Sequence, residues 1–325
     1  MNSSKTAAPA RDFTQLNEML TVFLKEKGYG AITFVGDSSR STFTYKAQQD
    51  EMPYWIKLCV ISDKNNKREA DLRNEVAALT ALWKLYPDGD AGSFFLPPGP
   101  EVIFDENYQD VHVYGYSRFE VEGKILATEL REGREIFSSW VDIYAEILKT
   151  IDALPDLGLP RTEAKKQEKF EETIMKNGNY WLDVMKGNVP EEVYDCAKNE
   201  LAIAMIFFEG QRVVMGTVHG DIVPDHVVFL NHDVKPTIVQ FTKLCQWYPR
   251  FWDVGAVYGW VQAVLGDGES AWALWSKVTS NGFDKKQIDY LKIITNVNVL
   301  ASMGAVISPE WGNGEMKARC GAFVK

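Results

Sequence analysis

The sequence has little of what marks several other classes of protein. Its four cysteines are scattered and form no C-x-x-C pair, so neither a disulfide framework nor a cysteine zinc site is predicted. Acidic residues outnumber basic ones by 45 to 35, and the net charge of −10 argues against a general nucleic-acid binder, which needs a basic face. No apolar run approaches the length of a membrane span, and the polar first residues lack the apolar stretch of a signal peptide. We therefore expect a cytoplasmic protein.

What remains is the composition of a globular protein, with 46% hydrophobic and 25% charged residues. A chain of 325 residues is too long for one small core and suits two coupled lobes. We predict a flexible tail over residues 1–12, an N-terminal lobe over 13–119 and a C-terminal lobe over 120–325.

The two predicted lobes differ in the period of their hydrophobic residues. In the first, apolar residues recur at helical spacing from Leu16 to Leu24 and from Leu72 to Leu85. Segments of β type make up most of the rest of this lobe: Ala31–Val35, Thr42–Ala47, Tyr54–Ile61, Glu101–Phe104 and Val111–Phe119. In the second, long amphipathic helices are predicted at about 136–153, 163–186, 190–209, 269–280 and 284–304, with a β-rich insert at 213–241. The pattern predicts an α+β fold with a small antiparallel sheet in the first lobe and a mainly helical second lobe.

The sharpest local motif is His219-Gly220-Asp221, which lies between two predicted strands. Three such residues alone suit an ordinary tight turn. Their context is more informative, because a strand at Thr237–Phe241 follows within a hairpin-length gap, and Asp253 then begins a predicted helix.

Segment 217–258 resembles the catalytic stretch of the aminoglycoside phosphotransferase and choline kinase group, whose pattern is H-G-D-x-x-x-x-N, a hairpin, I-D-F or I-D-W, and a downstream D-x-A. The likeness extends over most of the chain in order and spacing. Lys57 in YWIKL and Glu75 in RNEVAAL match the strand lysine and helix glutamate of that group, and residues 116–123 match its hinge. The resemblance implies a protein-kinase-like fold, ATP or GTP as phosphoryl donor, and Mg²⁺ as cofactor.

The resemblance also implies a role for each matching residue. Asp221 would be the catalytic base, and His219 and Asp253 would support its loop. Lys57, held by Glu75, would grip the phosphates, because phosphoryl transfer depends mostly on positioning and charge neutralisation. The other nucleotide-binding residues would be Gly36, Ser38, Ser39 and Arg40 in a phosphate-covering loop, and Phe119 and Val121 in the hinge. His226 and Gln240 occupy the two metal-ligand positions.

Gln240 departs from the pattern of the group. It stands where a charged carboxylate is expected, and a neutral amide is a poor substitute because Mg²⁺ favours charged oxygen ligands. Asp225, next to His226, is a candidate for a replacement carboxylate.

Two functions are compatible with the matches to this group and with the departure at Gln240. One is an ATP-dependent phosphotransferase that acts on a hydroxyl of a small molecule and is impaired by Gln240. The other is a catalytically inactive, kinase-like binding or scaffold protein. The expected partners are a nucleotide and a small-molecule substrate, for which the net charge of −10 would suit a cation, with neither nucleic acid nor membrane. Acidic residues that would favour an amine-bearing substrate are Glu171, Glu172, Asp183, Glu191 and Glu192.

Overall fold

The structure is a computed structural model and describes residues 13–37, 42–61, 66–132, 140–159, 167–210, 214–230, 235–280 and 283–307. The predicted tail and the loop residues Ser38, Ser39 and Arg40 lie outside these ranges. The chain divides into two compact units. The first holds the described residues up to Thr80 together with Pro98–Val121, and the second holds Ala81–Pro97 and the described residues from Glu122 onward.

The first unit is built on one antiparallel sheet of five strands in the order β1-β2-β3-β5-β4. Its elements are α1 (Phe13–Glu26), β1 (Gly30–Asp37), β2 (Thr42–Gln49), β3 (Met52–Ile61), most of α2 (Asn66–Leu85), β4 (Val102–Tyr108) and β5 (Val111–Phe119). Helix α1 buries the side chains that recur at helical spacing, among them Leu20, Phe23 and Leu24, against this sheet. The apolar residues that recur at helical spacing in the sequence therefore form the face of α1 that packs into the core.

Gly115 lets the two central strands of this sheet lie close together. It pairs with Leu58 across β3 and β5. A Cβ atom at Gly115 would lie 2.0 Å from the carbonyl oxygen of Lys57, so no other residue fits without moving the strand. This close approach fixes the backbone of Lys57 in the middle of the sheet.

The second unit is mainly helical, with two small sheets. Its elements are the end of α2, β6 (Lys124–Ile125), α3 (Leu126–Arg131), α4 (Trp140–Asp152), α5 (Gln167–Met185), α6 (Glu191–Gly210), β7 (Met215–Val218), β8 (Val227–Phe229), β9 (Thr237–Ile238), β10 (Cys245–Pro249), α7 (Trp252–Trp260), α8 (Gly268–Thr279) and α9 (Lys285–Ile307). A 3₁₀ turn, Pro224–His226, precedes β8, and a turn of π-helix, Val261–Leu265, follows α7. Strand β8 lies between β6 and β9, and β7 pairs with β10.

The predicted α+β fold class is confirmed, with an antiparallel sheet in one unit and helices dominating the other. Helix α3 and strand β10 were not predicted. Each is six residues or fewer, which is too short to display a hydrophobic period. Over the part of the chain that the structure describes, none of the helices combines the length and apolar character needed to cross a membrane.

Candidate active site

In the first unit, Lys57 and Glu75 form a buried ion pair. Lys57 lies on β3 between Thr44 of β2 and Tyr116 of β5, and Glu75 lies on α2. The lysine Nζ is 2.9 Å from both carboxylate oxygens. Glu75 is 0% and Lys57 8% exposed, so two charged groups are fixed against each other inside the unit. The structure thus brings together the two residues that the sequence predicted to pair.

Of the other nucleotide-binding candidates of this unit, those that the structure describes lie at strand ends or just beyond them. Gly36 is near the end of β1, where the β1–β2 register shifts between Phe34 and Gly36, an irregularity of the kind that glycine accommodates. Phe119 ends β5, and its carbonyl oxygen accepts a hydrogen bond of 3.1 Å from the Arg118 guanidinium. Val121 follows β5 and is half-buried.

In the second unit, the His219-Gly220-Asp221 turn directly follows β7. Gly220 has a φ of +79°, which favours glycine. A Cβ atom there would also lie 2.9 Å from the carbonyl oxygen of Lys243 and 3.0 Å from its Cβ. The turn therefore packs directly on the backbone of Lys243, and only glycine permits this.

Asp253 braces the turn from the first turn of α7. Its two carboxylate oxygens accept hydrogen bonds from the backbone N–H groups of His219, at 2.5 Å, and of Gly220, at 2.8 Å. Asp253 is 4% exposed, and His219 is fully buried with its ring 5.1 Å from that of Phe241. These contacts fix the backbone that immediately precedes Asp221.

Burial raises the pKa of Asp253 to about 7, although the two backbone hydrogen bonds act in the opposite direction. In the unfolded chain an aspartate titrates near pH 4, so between about pH 4 and 7 the folded protein retains a proton that the unfolded chain has lost. We therefore expect the free energy of unfolding to fall as the pH rises through this window. The slope should correspond to the release of about one proton per molecule on unfolding.

Denaturant unfolding at a series of pH values measures this slope. Asp253→Asn is the matched control, because it keeps an acceptor oxygen and removes the titration. An identical slope in the wild type and in the variant would contradict the assignment to Asp253.

His226 and Gln240 both lie beside Asp221. The Nδ1 atom of His226 is 2.7 Å from the Asp221 carbonyl oxygen, and because a carbonyl only accepts, Nδ1 carries the proton. Gln240 follows β9, and its Nε2 is 3.5 Å from Asp221 Oδ2. The β8–β9 pairing produces this arrangement, with Val227 opposite Ile238. The predicted site residues of this segment therefore do converge.

Lys243 also contacts Asp221 and was not singled out from the sequence. Its Nζ is 3.1 Å from Asp221 Oδ2. Burial acts to raise the pKa of Asp221, but the charge of Lys243 and its hydrogen bond to Asp221, with the nearby imidazoles of His226 and His219, outweigh it and the pKa is lowered. A lone lysine in a short turn is usually solvated, so no sequence signal distinguishes Lys243.

Further contacts hold the segment after Asp221. The buried Tyr144 of α4 donates a hydrogen bond of 3.1 Å to the carbonyl oxygen of Ile222. The carboxylate of Asp225 lies 3.2 Å from Arg131 and accepts a hydrogen bond of 3.1 Å from the indole N–H of Trp260. Asp225, the candidate for a replacement carboxylate, is thus engaged with a cation and an indole.

The side chains around Asp221 do not fit Mg²⁺. Gln240 contributes an amide without charge and Asp225 is paired with Arg131, while the ammonium of Lys243 already neutralises Asp221. A magnesium ion needs charged oxygen ligands, and a cation next to the site repels it. Across the described ranges there is no group of three or more His, Cys, Asp and Glu residues that could hold a metal ion.

The acidic residues predicted to attract an amine do not form a cluster that the structure describes. Asp183, Glu191 and Glu192 are exposed on α5 and α6, and the side chains of Glu171 and Glu172 lie outside the description. Glu191 and Glu192 are in the first turn of α6, where acidic residues commonly stabilise a helix.

A cavity of about 300 Å³ in the second unit is lined by Asp253, Arg250 and Phe251 among others, but not by Asp221.

Comparisons with known proteins show that this chain is similar in fold to several solved structures. No family model and no curated protein matches the sequence. Among solved structures, the GDP complex of aminoglycoside 2'-phosphotransferase-IIIa aligns over 97% of this chain and 100% of its own, with a TM-score of 0.65 and 13% identity. A related phosphotransferase with GDP and kanamycin aligns over 88% of each chain (TM-score 0.61, 14% identity). An aminoglycoside phosphotransferase of Streptomyces rimosus aligns over 88% of this chain and 98% of its own (0.59, 16%). This chain therefore has the protein-kinase-like fold of the aminoglycoside phosphotransferases.

Proposed function

We propose that this protein transfers a phosphoryl group from a nucleoside triphosphate, ATP or GTP, to a hydroxyl group of a small molecule. The observation that carries the proposal is the His-Gly-Asp turn, whose backbone N–H groups are fixed by Asp253 while the Asp221 side chain remains 28% exposed. A rigid turn that offers a partly exposed carboxylate suits a group that must orient a hydroxyl. The fold shared with proteins solved as GDP complexes supports a nucleotide donor.

In this mechanism the chain's own residues position the reactants and neutralise charge. Asp221 accepts a hydrogen bond from the acceptor hydroxyl and takes its proton as that oxygen bonds to the γ-phosphorus. The bond from the γ-phosphorus to the bridging oxygen breaks, and the nucleoside diphosphate leaves with the electron pair. Lys57, held by Glu75, neutralises phosphate oxygens.

For the substrate we propose an amine-bearing alcohol. The net charge of −10 favours cations, and one of the similar structures was solved with kanamycin. We further propose that Gly36, Ser38, Ser39 and Arg40 contact the phosphates, and that Phe119 and Val121 contact the base.

A second candidate function is nucleotide binding without transfer. Two observations favour it: Lys243 engages the carboxylate that must accept the proton, and Gln240 lacks the charge of the expected ligand. Both functions include nucleotide binding, and they differ in whether a phosphorylated product forms.

Nucleotide binding is expected to raise the melting temperature. At a nucleotide concentration of 100 times Kd, stabilisation of about 2.7 kcal/mol corresponds to a shift of several degrees. The shift should be lost in Lys57→Met and retained in Lys46→Met, which removes an exposed lysine of the same sheet. If neither ATP nor GTP shifts the wild-type melting temperature, the proposal fails. Formation of a phosphorylated product from a panel of amino alcohols then separates transfer from binding alone.

A further inference from the structure

We propose that the ammonium group of Lys243 takes the place of the divalent cation beside Asp221, so that the phosphates of the nucleotide bind without Mg²⁺. This inference rests on the proposed function and concerns how the same site neutralises charge. It arises from the mismatch between the side chains around Asp221 and the requirements of a magnesium ion.

The fold determines where Lys243 lies. Strands β7 and β10 pair with Val218 opposite Cys245, so the residues just after β7 and just before β10 are neighbours. The turn before β10 is closed by a hydrogen bond of 3.1 Å from the Leu244 N–H to the Phe241 carbonyl oxygen, and Leu244 is buried. Gly220 packs directly on the backbone of Lys243. The lysine is therefore held next to Asp221 by its backbone and not by its side chain alone.

The charges of the side chains around Asp221 nearly balance one another when Lys243 is the cation next to it. Asp221 is paired with Lys243, and Asp225 is paired with Arg131. Gln240 adds no charge, whereas a carboxylate at that position would leave an excess negative charge for a metal to balance. The local set is thus close to neutral without a divalent ion.

A lysine has the donors that this role requires. An ammonium carries three N–H groups, and the contact with Asp221 Oδ2 uses one of them. The Lys243 side chain is 55% exposed, so its remaining donors are accessible to phosphate oxygens. Charge-assisted hydrogen bonds to phosphate are strong, and lysine is a common phosphate ligand in proteins.

Calorimetric titration with ATP and with GTP, in excess Mg²⁺ and in EDTA, tests the inference. The wild-type Kd should agree within about twofold between the two conditions, because the fixed cation needs no metal. Lys243→Met should weaken binding in EDTA by about tenfold or more, the effect of one charge-assisted hydrogen bond, and Lys243→Arg should retain most of the affinity. The double variant Gln240→Asp, Lys243→Met should bind nucleotide more tightly in Mg²⁺ than in EDTA.

Lys277→Met is the matched control, because Lys277 also pairs with an aspartate of the second unit and is similarly exposed. It should leave the affinity unchanged. A wild type that binds nucleotide only with Mg²⁺ would overturn the inference and leave the proposed function standing, and so would equal affinities of Lys243→Met and Lys277→Met. An absence of nucleotide binding under every condition would overturn both.

Discussion

Asp221→Asn is expected to lower phosphoryl transfer by a factor of about 10² to 10⁴, the range over which a general base contributes. Asparagine has nearly the same shape, but its amide cannot accept the hydroxyl proton. The backbone of the turn should persist, because Asp253 holds it through His219 and Gly220 and not through the side chain at position 221. Loss of turnover should therefore occur in a folded protein.

Initial rates of product formation, with the circular dichroism spectrum and the melting temperature of the same sample, measure this effect. Asp142→Asn is a suitable control, since Asp142 also pairs with a lysine of the second unit but is exposed on α4. Unchanged turnover in Asp221→Asn would remove Asp221 from its proposed role. A wild type that binds nucleotide and forms no product would favour the second candidate function.

Glu75→Gln is expected to lower the free energy of unfolding by about 3 to 5 kcal/mol, because it leaves the ammonium of Lys57 buried without its counter-charge. Glutamine preserves the volume, so the change isolates the loss of charge from the creation of a cavity. Denaturant unfolding of the purified variant measures the difference.

A double-mutant cycle measures the interaction energy between Lys57 and Glu75. Lys57→Met combined with Glu75→Gln removes both charges, and the double variant should be more stable than the sum of the single changes implies. The pair of Lys46 on β2 and Glu120 just after β5, whose side chains are 49% and 23% exposed, is the control, and Glu120→Gln should change stability by about 1 kcal/mol or less. Equal effects of Glu75→Gln and Glu120→Gln would contradict the buried-pair assignment.

The predicted elements agree with the structure best where the hydrophobic pattern is long. The spacing of Leu20, Phe23 and Leu24 predicts α1 and its buried face, and the strand Tyr54–Ile61 lies within β3. Agreement is poorer where an element is short or where a backbone turn replaces a strand. The predicted strand Thr237–Phe241 is paired only at Thr237–Ile238, so Gln240 lies beyond its end.

The α+β class can be predicted from the sequence, because the period of the hydrophobic residues is a local property. Lys57, Glu75 and Asp221 are named by the resemblance of their segments to the aminoglycoside phosphotransferase and choline kinase group. Which side chains meet depends on how distant segments pack. Lys243 reaches Asp221 because β10 pairs with β7 in one register and Gly220 permits a close approach, and Tyr144 reaches Ile222 from a separate helix. Contacts of this kind depend on the packing of distant segments, and the residue types of those segments do not encode them individually.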